Sequence, residues 1–152
     1  MAPQQMPGNL QSAFYLSFNG NCKEAMLFYK NCFEGDLEIQ LVSDAPNSEH
    51  LPLWMKQCVL QATLRALGIT IMGTDLNEGE DRLTGNNMAI HLSLLNEEAF
   101  HCLVKRLSEH CLDVDEAVLT RSGKKVQIKD RFGINWLVLH YNPEPILPAR
   151  SC

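Results

Sequence analysis

An α+β fold built from two copies of one βαβββ module is what this sequence predicts, and three observations carry the prediction. Two segments share one grammar: Ala13-Phe14-Tyr15-Leu16-Ser17-Phe18 runs through Asn19-Gly20-Asn21 into Cys22–Lys30, and Ala89-Ile90-His91-Leu92-Ser93-Leu94 runs through Leu95-Asn96 into Glu97–Lys105. Each holds a Leu-Ser strand, an Asn before a helix, a Glu-Ala pair and a closing Lys. Both units also end alike, since Ala66-Leu67-Gly68-Ile69 matches Arg131-Phe132-Gly133-Ile134 and an apolar run follows each. Two such matches in the same order mark an internal repeat, and a repeat sets the fold before any single motif does.

Each element has a local physical reason. The first strand, 12–18, alternates and leads into a helix that Asn21 caps, with Glu24 three residues on completing a capping box. Ala25, Phe28, Tyr29 and Cys32 recur at i, i+3, i+4 and i+7, forming one apolar helical face. Gly35 is a plausible stop, and Glu34, Asp36 and Glu38 read as solvated charges. Strands follow at 37–43, 57–65 and 69–73, around an irregular excursion at 44–56 that holds Pro46 and Pro52. Segment 74–87 is acidic and polar and reads as the linker between modules. The second module opens with a strand at 88–94. Asn96 then caps a helix with Glu97 and Glu98 at its positive end, and Phe100, Leu103, Val104 and Leu107 form its apolar face. Asp113 reads as its stop, and strands at 116–120, 125–129 and 134–140 complete the unit. Gly68 and Gly133 sit between apolar runs, where a tight hairpin calls for φ > 0. The modules span about 12–75 and 87–141 of a single domain over 1–152, with Pro-containing tails at 1–10 and 142–152.

Composition narrows the function classes. A length of 152 residues with 45% apolar and 20% charged residues is ordinary for a globular domain. The net charge of −5 gives no reason to expect nucleic acid or an anionic membrane as partner. The N-terminus has neither a basic nor an apolar signal region, and no apolar run is long enough to span a membrane. The six cysteines contain no C-x-x-C pair, so reduced and mostly buried thiols in the cytoplasm are expected.

The run Tyr15-Leu16-Ser17-Phe18-Asn19-Gly20-Asn21-Cys22-Lys23-Glu24-Ala25, with Phe28-Tyr29 and Phe33, resembles the opening of the PhnB-like branch of the vicinal oxygen chelate (glyoxalase/bleomycin resistance/dioxygenase) superfamily. Ile69–Asp75 and Asp130-Arg131-Phe132-Gly133-Ile134-Asn135-Trp136 are similar to that branch's middle and closing segments. The resemblance covers about residues 13–141. It implies a glyoxalase-like fold in which two modules form curled mixed sheets around a cleft, usually in a homodimer. It also implies metal ligands on the first and last strand of each module, at Ala13, at Ile71 or Met72, at Ala89 and at Leu137. Those side chains cannot ligate a hard divalent ion, so no metal and no cofactor is expected. The branch also carries a ubiquinone-methyltransferase label. The Gly-rich strand-to-helix turn that such an enzyme needs is missing, since Gly20 stands without a G-x-G partner.

Strand parity then names the residues that would face the cleft: Tyr15 and Ser17, Gln61 and Thr63, His91 and Ser93, with Trp136 as a stacking surface. The expected function is a small molecule bound in a metal-free cleft. A second reading is a superfamily enzyme of lyase or dioxygenase type, with His91 as general base or joined to Gln61 in an unusual metal site. A third is a dimerisation partner whose cleft is filled.

Overall fold

The computed structural model describes residue 8, residues 10–76 and residues 82–142. These residues divide into two compact units, one drawn from Met1–Lys30 and Gly35–Glu80, the other from Asn31–Glu34 and Asp81–Cys152. The first comprises β1 (Phe14–Ser17), most of α1 (Cys22–Phe33), β2 (Asp36–Leu41), a 3-10 turn at Val42–Asp44, the one-turn helix α2 (Leu53–Lys56), β3 (Val59–Ala66) and β4 (Ile69–Thr74). Its four strands lie in the order β1-β4-β3-β2, and β1 runs parallel to β4. The second comprises β5 (Ile90–Leu94), α3 (Glu97–Leu107), β6 (Asp113–Val114), β7 (Val118–Thr120), β8 (Gly123–Lys129) and β9 (Asn135–Tyr141). Its order is β5-β9-β8-β6 with β7 also on β8, and β5 runs parallel to β9. Each unit is therefore one βαβββ module, and in the second the strand before β8 is split in two. Among the described residues no helix is long and apolar enough to cross a membrane.

Both helices bury the expected faces. Ala25, Phe28, Tyr29 and Cys32 of α1 are buried, as are Phe100, Leu103 and Leu107 of α3. Gly73 lets α1 lie close on its sheet, because a Cβ there would stand 2.9 Å from Cys22 Sγ and 3.0 Å from Met26 Sδ. Gly68 and Gly133 take φ of 80° and 85° at their hairpins. Asn96 caps α3, its Oδ1 accepting from the Ala99 N–H at 2.9 Å.

Several local readings change in the tertiary structure. The Cys22 N–H at the start of α1 donates to Asp75 rather than to Asn21. Glu34, at φ 55°, turns the chain after α1, ahead of Gly35. Asp113 belongs to a strand, because α3 ends at Leu107. Thr74 and Asp75 are buried structure rather than linker, while 77–81, the tail from 143 and most of 1–9 lie outside the described residues. Glu34 and Glu38 pair with Arg106 at 2.9 Å and Arg65 at 3.5 Å. The excursion at 44–56 contains α2.

The cysteines divide by burial. Cys22 and Cys32 are buried, Cys58 and Cys111 half-buried, and Cys102 exposed, so the expectation of mostly buried thiols holds for only part of the set. Burial, helped by the Asp75 carboxylate, pushes the Cys22 thiol up to about 12. Burial, with Asp130 as the largest charge nearby, does the same to Cys32. At pH 8 iodoacetamide is therefore expected to label Cys102 in the native protein and to spare both buried thiols. In the unfolded chain these thiols ionise near 9.0, the ordinary value. Their contribution to stability is thus intact below pH 9 and is lost progressively as pH rises from 9 to 12. Urea titrations at pH 8 and pH 10 on wild type and Cys22→Ala check this. Equal losses in the two proteins would contradict it.

Candidate functional site

Register decides which side chains share a face, because alternate residues point to opposite sides of a sheet. In the first unit Ala62 pairs with Gly73 and Leu64 with Ile71, and Gly73 lies beneath α1, so these residues form the helix-covered face. The opposite face carries the exposed side chains of Tyr15, Glu38, Gln40 and Gln61. One row there runs across all four strands: Tyr15 beside Met72, Met72 beside Thr63, and Thr63 beside Glu38. Gln61 and Gln40 are partners in the next open-face row, while Thr70, Arg65 and Asp36 line up on the other side. Ser17 of β1 shares this face with Tyr15.

A polar depression of about 270 Å³ opens here, lined by Glu38, Ile39, Gln40, Gln61 and Thr63. Among the described residues, none hydrogen-bonds the Thr63 hydroxyl or the side-chain amides of Gln40 and Gln61. Thr63 is only 7% exposed. The other buried hydroxyls of this unit are satisfied: Thr74 donates to Leu60 O at 2.8 Å and Ser48 to Ser43 O at 3.0 Å. The Thr63 hydroxyl is not among the buried polar atoms left without a partner, so it opens to the depression and can meet water or a ligand there. Four of the sequence-named site residues, Tyr15, Ser17, Gln61 and Thr63, therefore share one face.

His91 and Ser93 share the open face of the second sheet. His91 pairs with Leu137 and Ser93 with Leu139, and Gln127 and Lys125 stand on the far side of those leucines. His91 is exposed, and no described residue hydrogen-bonds its ring. Trp136 departs from the expectation that grouped it with these residues. It pairs with Ile90 on the opposite, helix-covered face and is 0% exposed. Its Nε1–H donates to Asp130 at 2.8 Å, and its ring lies 5.4 Å from that of Phe33. A side chain held in this way is core.

The strand positions that would carry metal ligands hold Ala13, Met72, Ala89 and Leu137, which offer no hard oxygen or imidazole donor. Among the described residues, no three His, Cys, Asp or Glu side chains converge as a ligand group. At those four positions the residues present do not fit a divalent ion. From the sequence alone Gln40 has no assigned role, Glu38 reads as a solvated charge and Met72 figures only as a metal-ligand position. The alternation of Asp36, Glu38 and Gln40 with Leu37, Ile39 and Leu41 was the available signal, but only the pairing with β3 shows what those polar residues stand beside.

Comparison with known proteins agrees with this architecture. A family model described as 3-demethylubiquinone-9 3-methyltransferase matches residues 11–139. No curated protein matches the sequence. Protein PA1353 from Pseudomonas aeruginosa is similar at 27% identity and a TM-score of 0.74, over 86% of this chain and 97% of that one. A PhnB protein from Bacillus cereus, described as a candidate 3-demethylubiquinone-9 3-methyltransferase, is similar in fold at 18% identity and a TM-score of 0.65, over 86% and 98%. The fosfomycin resistance protein FosX from Mesorhizobium loti shares the fold at 11% identity and a TM-score of 0.57, over 91% and 95%. The chain belongs to the family described as 3-demethylubiquinone-9 3-methyltransferase, and its fold is that of a glyoxylase/bleomycin resistance protein/dioxygenase domain.

Proposed function

We propose that this protein binds a small organic molecule without a metal, on the open face of the first sheet around Gln61 and Thr63. The observation that carries the reading is the concave polar patch whose hydroxyl and two amides open to the depression and have no hydrogen-bond partner among the described residues. Ligand sites commonly combine a concavity with a few convergent polar groups. A ligand at about 100 times its Kd stabilises by roughly 2.7 kcal/mol, which is a rise of roughly 5–10 °C in thermal midpoint at this size. Thermal-shift screening of a small-molecule library therefore finds the ligand class. Thr63→Val keeps the side-chain shape and removes the hydroxyl. It is expected to weaken a hit about tenfold, about 1.4 kcal/mol, with an unchanged or higher midpoint for the free protein. Hits that ignore both Thr63→Val and Gln61→Ala would move the site elsewhere.

Methyl transfer from a nucleoside donor finds little support in the first strand-to-helix turn. The N–H groups of Gly20 and Cys22, which a donor's anionic or ribose oxygens would need, are both given to Asp75 at 2.9 Å. A general-base role for His91 has an available ring but no described carboxylate or carbonyl to set its tautomer. Association of two chains and residence in the cytoplasm remain part of the proposal, resting on the family resemblance and on the reduced state expected of the cysteines.

A further inference from the structure

We propose that the open face of the first sheet takes a small organic ammonium compound with an apolar body, its charged nitrogen at Glu38 and its body on Met72 and Tyr15. This rests on reading that face as a small-molecule site. The row Tyr15–Met72–Thr63–Glu38 crosses four neighbouring strands at one level. At about 4.8 Å between strands, the row spans roughly 14 Å from the Tyr15 strand to the Glu38 strand. It changes character along that length, from an exposed aromatic ring and a half-buried thioether to a hydroxyl and then a carboxylate. A ligand lying along the row must be apolar at one end and rich in donors at the other.

The charge of the donor-seeking end follows from the surroundings. Asp36 and Glu38 supply two carboxylates on this face against one guanidinium, Arg65. Arg65 pairs by register with Asp36 and stands 3.5 Å from Glu38, so it faces two negative charges and an incoming anion would meet both of them. The Arg65–Glu38 pair is exposed, at 61% and 80% for the two side chains, and exposed pairs of this kind hold weakly. The guanidinium can therefore yield the carboxylate at small cost. An ammonium brings three donors and no acceptor. Glu38, the Thr63 oxygen and the amide oxygens of Gln40 and Gln61 are the acceptors that line the depression to receive them.

Three probes with one skeleton test this: phenethylammonium, the neutral 2-phenylethanol and the anionic 3-phenylpropionate, each titrated into the full ¹⁵N-labelled chain. Phenethylammonium is expected to shift the backbone amides of residues 38–40 and 61–63 and to bind about tenfold more tightly than 3-phenylpropionate. Glu38→Gln, an exposed substitution whose folding the same spectra report, is expected to remove most of that difference. If 3-phenylpropionate binds those residues as tightly, the ammonium class is overturned while the small-molecule site stands. If none of the three perturbs this face at millimolar concentration, the ammonium class is overturned, and the library screen with Thr63→Val and Gln61→Ala decides the small-molecule site.

Discussion

Asp130→Ala is expected to destabilise the second unit by roughly 4–6 kcal/mol, a large part of the ~5–15 kcal/mol that holds a domain of this kind together. Asp130 is 0% exposed and uses both carboxylate oxygens. Oδ1 accepts from the Phe132 N–H at 2.8 Å and the Ile134 N–H at 3.0 Å, and Oδ2 accepts from Trp136 Nε1–H at 2.8 Å. The side chain thus closes the β8–β9 hairpin and anchors the largest buried residue of the core with the same group. Alanine would strand three donors, each at about 1–3 kcal/mol. Trp136→Phe removes only one donor and keeps an aromatic ring against Phe33, so roughly 1–2 kcal/mol is expected. Urea midpoints for the two variants check the order, and equal midpoints would show that the carboxylate does not organise the hairpin.

Asp75→Ala is expected to cost a comparable ~3–6 kcal/mol, but in the first unit. Asp75 is 8% exposed. Its Oδ1 accepts from the Gly20 and Cys22 N–H groups at 2.9 Å each, and Oδ2 accepts from the Val59 N–H at 2.8 Å. One carboxylate therefore caps α1, fixes the turn before it and holds the start of β3. A negative group at a helix N-terminus also meets the positive end of the helix dipole. Asp75→Asn can keep the two bonds at one oxygen, but its amide nitrogen would face the Val59 N–H, so an intermediate loss is expected. Hydrogen exchange locates the damage. Asp75→Ala should lower protection in β3 and β4, and Asp130→Ala in β8 and β9. Uniform loss in both units for either variant would refute the separate roles.

The placement of the candidate residues depends on the same long-range pairings. Gln61 and Thr63 could be assigned to one strand face from their spacing alone, and they do share the open face with Tyr15 and Ser17. Trp136 could not be placed that way. Its parity groups it with Val138 and His140, but only pairing with Ile90 on β5 shows that this is the helix-covered side. Glu38 reads as a solvated charge because it lies with Glu34 and Asp36 near the end of the first helix. The pairing with Thr63 on β3 puts it at the edge of the depression.

The sequence by itself determined the module count, the order of the main strands and the two long helices, the apolar helix faces, the Asn96 cap and the two hairpin glycines. These follow from forces between residues only a few positions apart: alternation of side chains in a strand, the 3.6-residue period of a helix, and the freedom of glycine at positive φ. The tertiary structure decided the rest. Asp75 replaces Asn21 at the start of α1 across 53 residues of chain, pairing with Ile90 puts Trp136 on the helix-covered face, and register assembles the row from Tyr15 to Glu38. Such contacts form only when distant segments pair, and their free energy depends on partners that local periodicity does not encode.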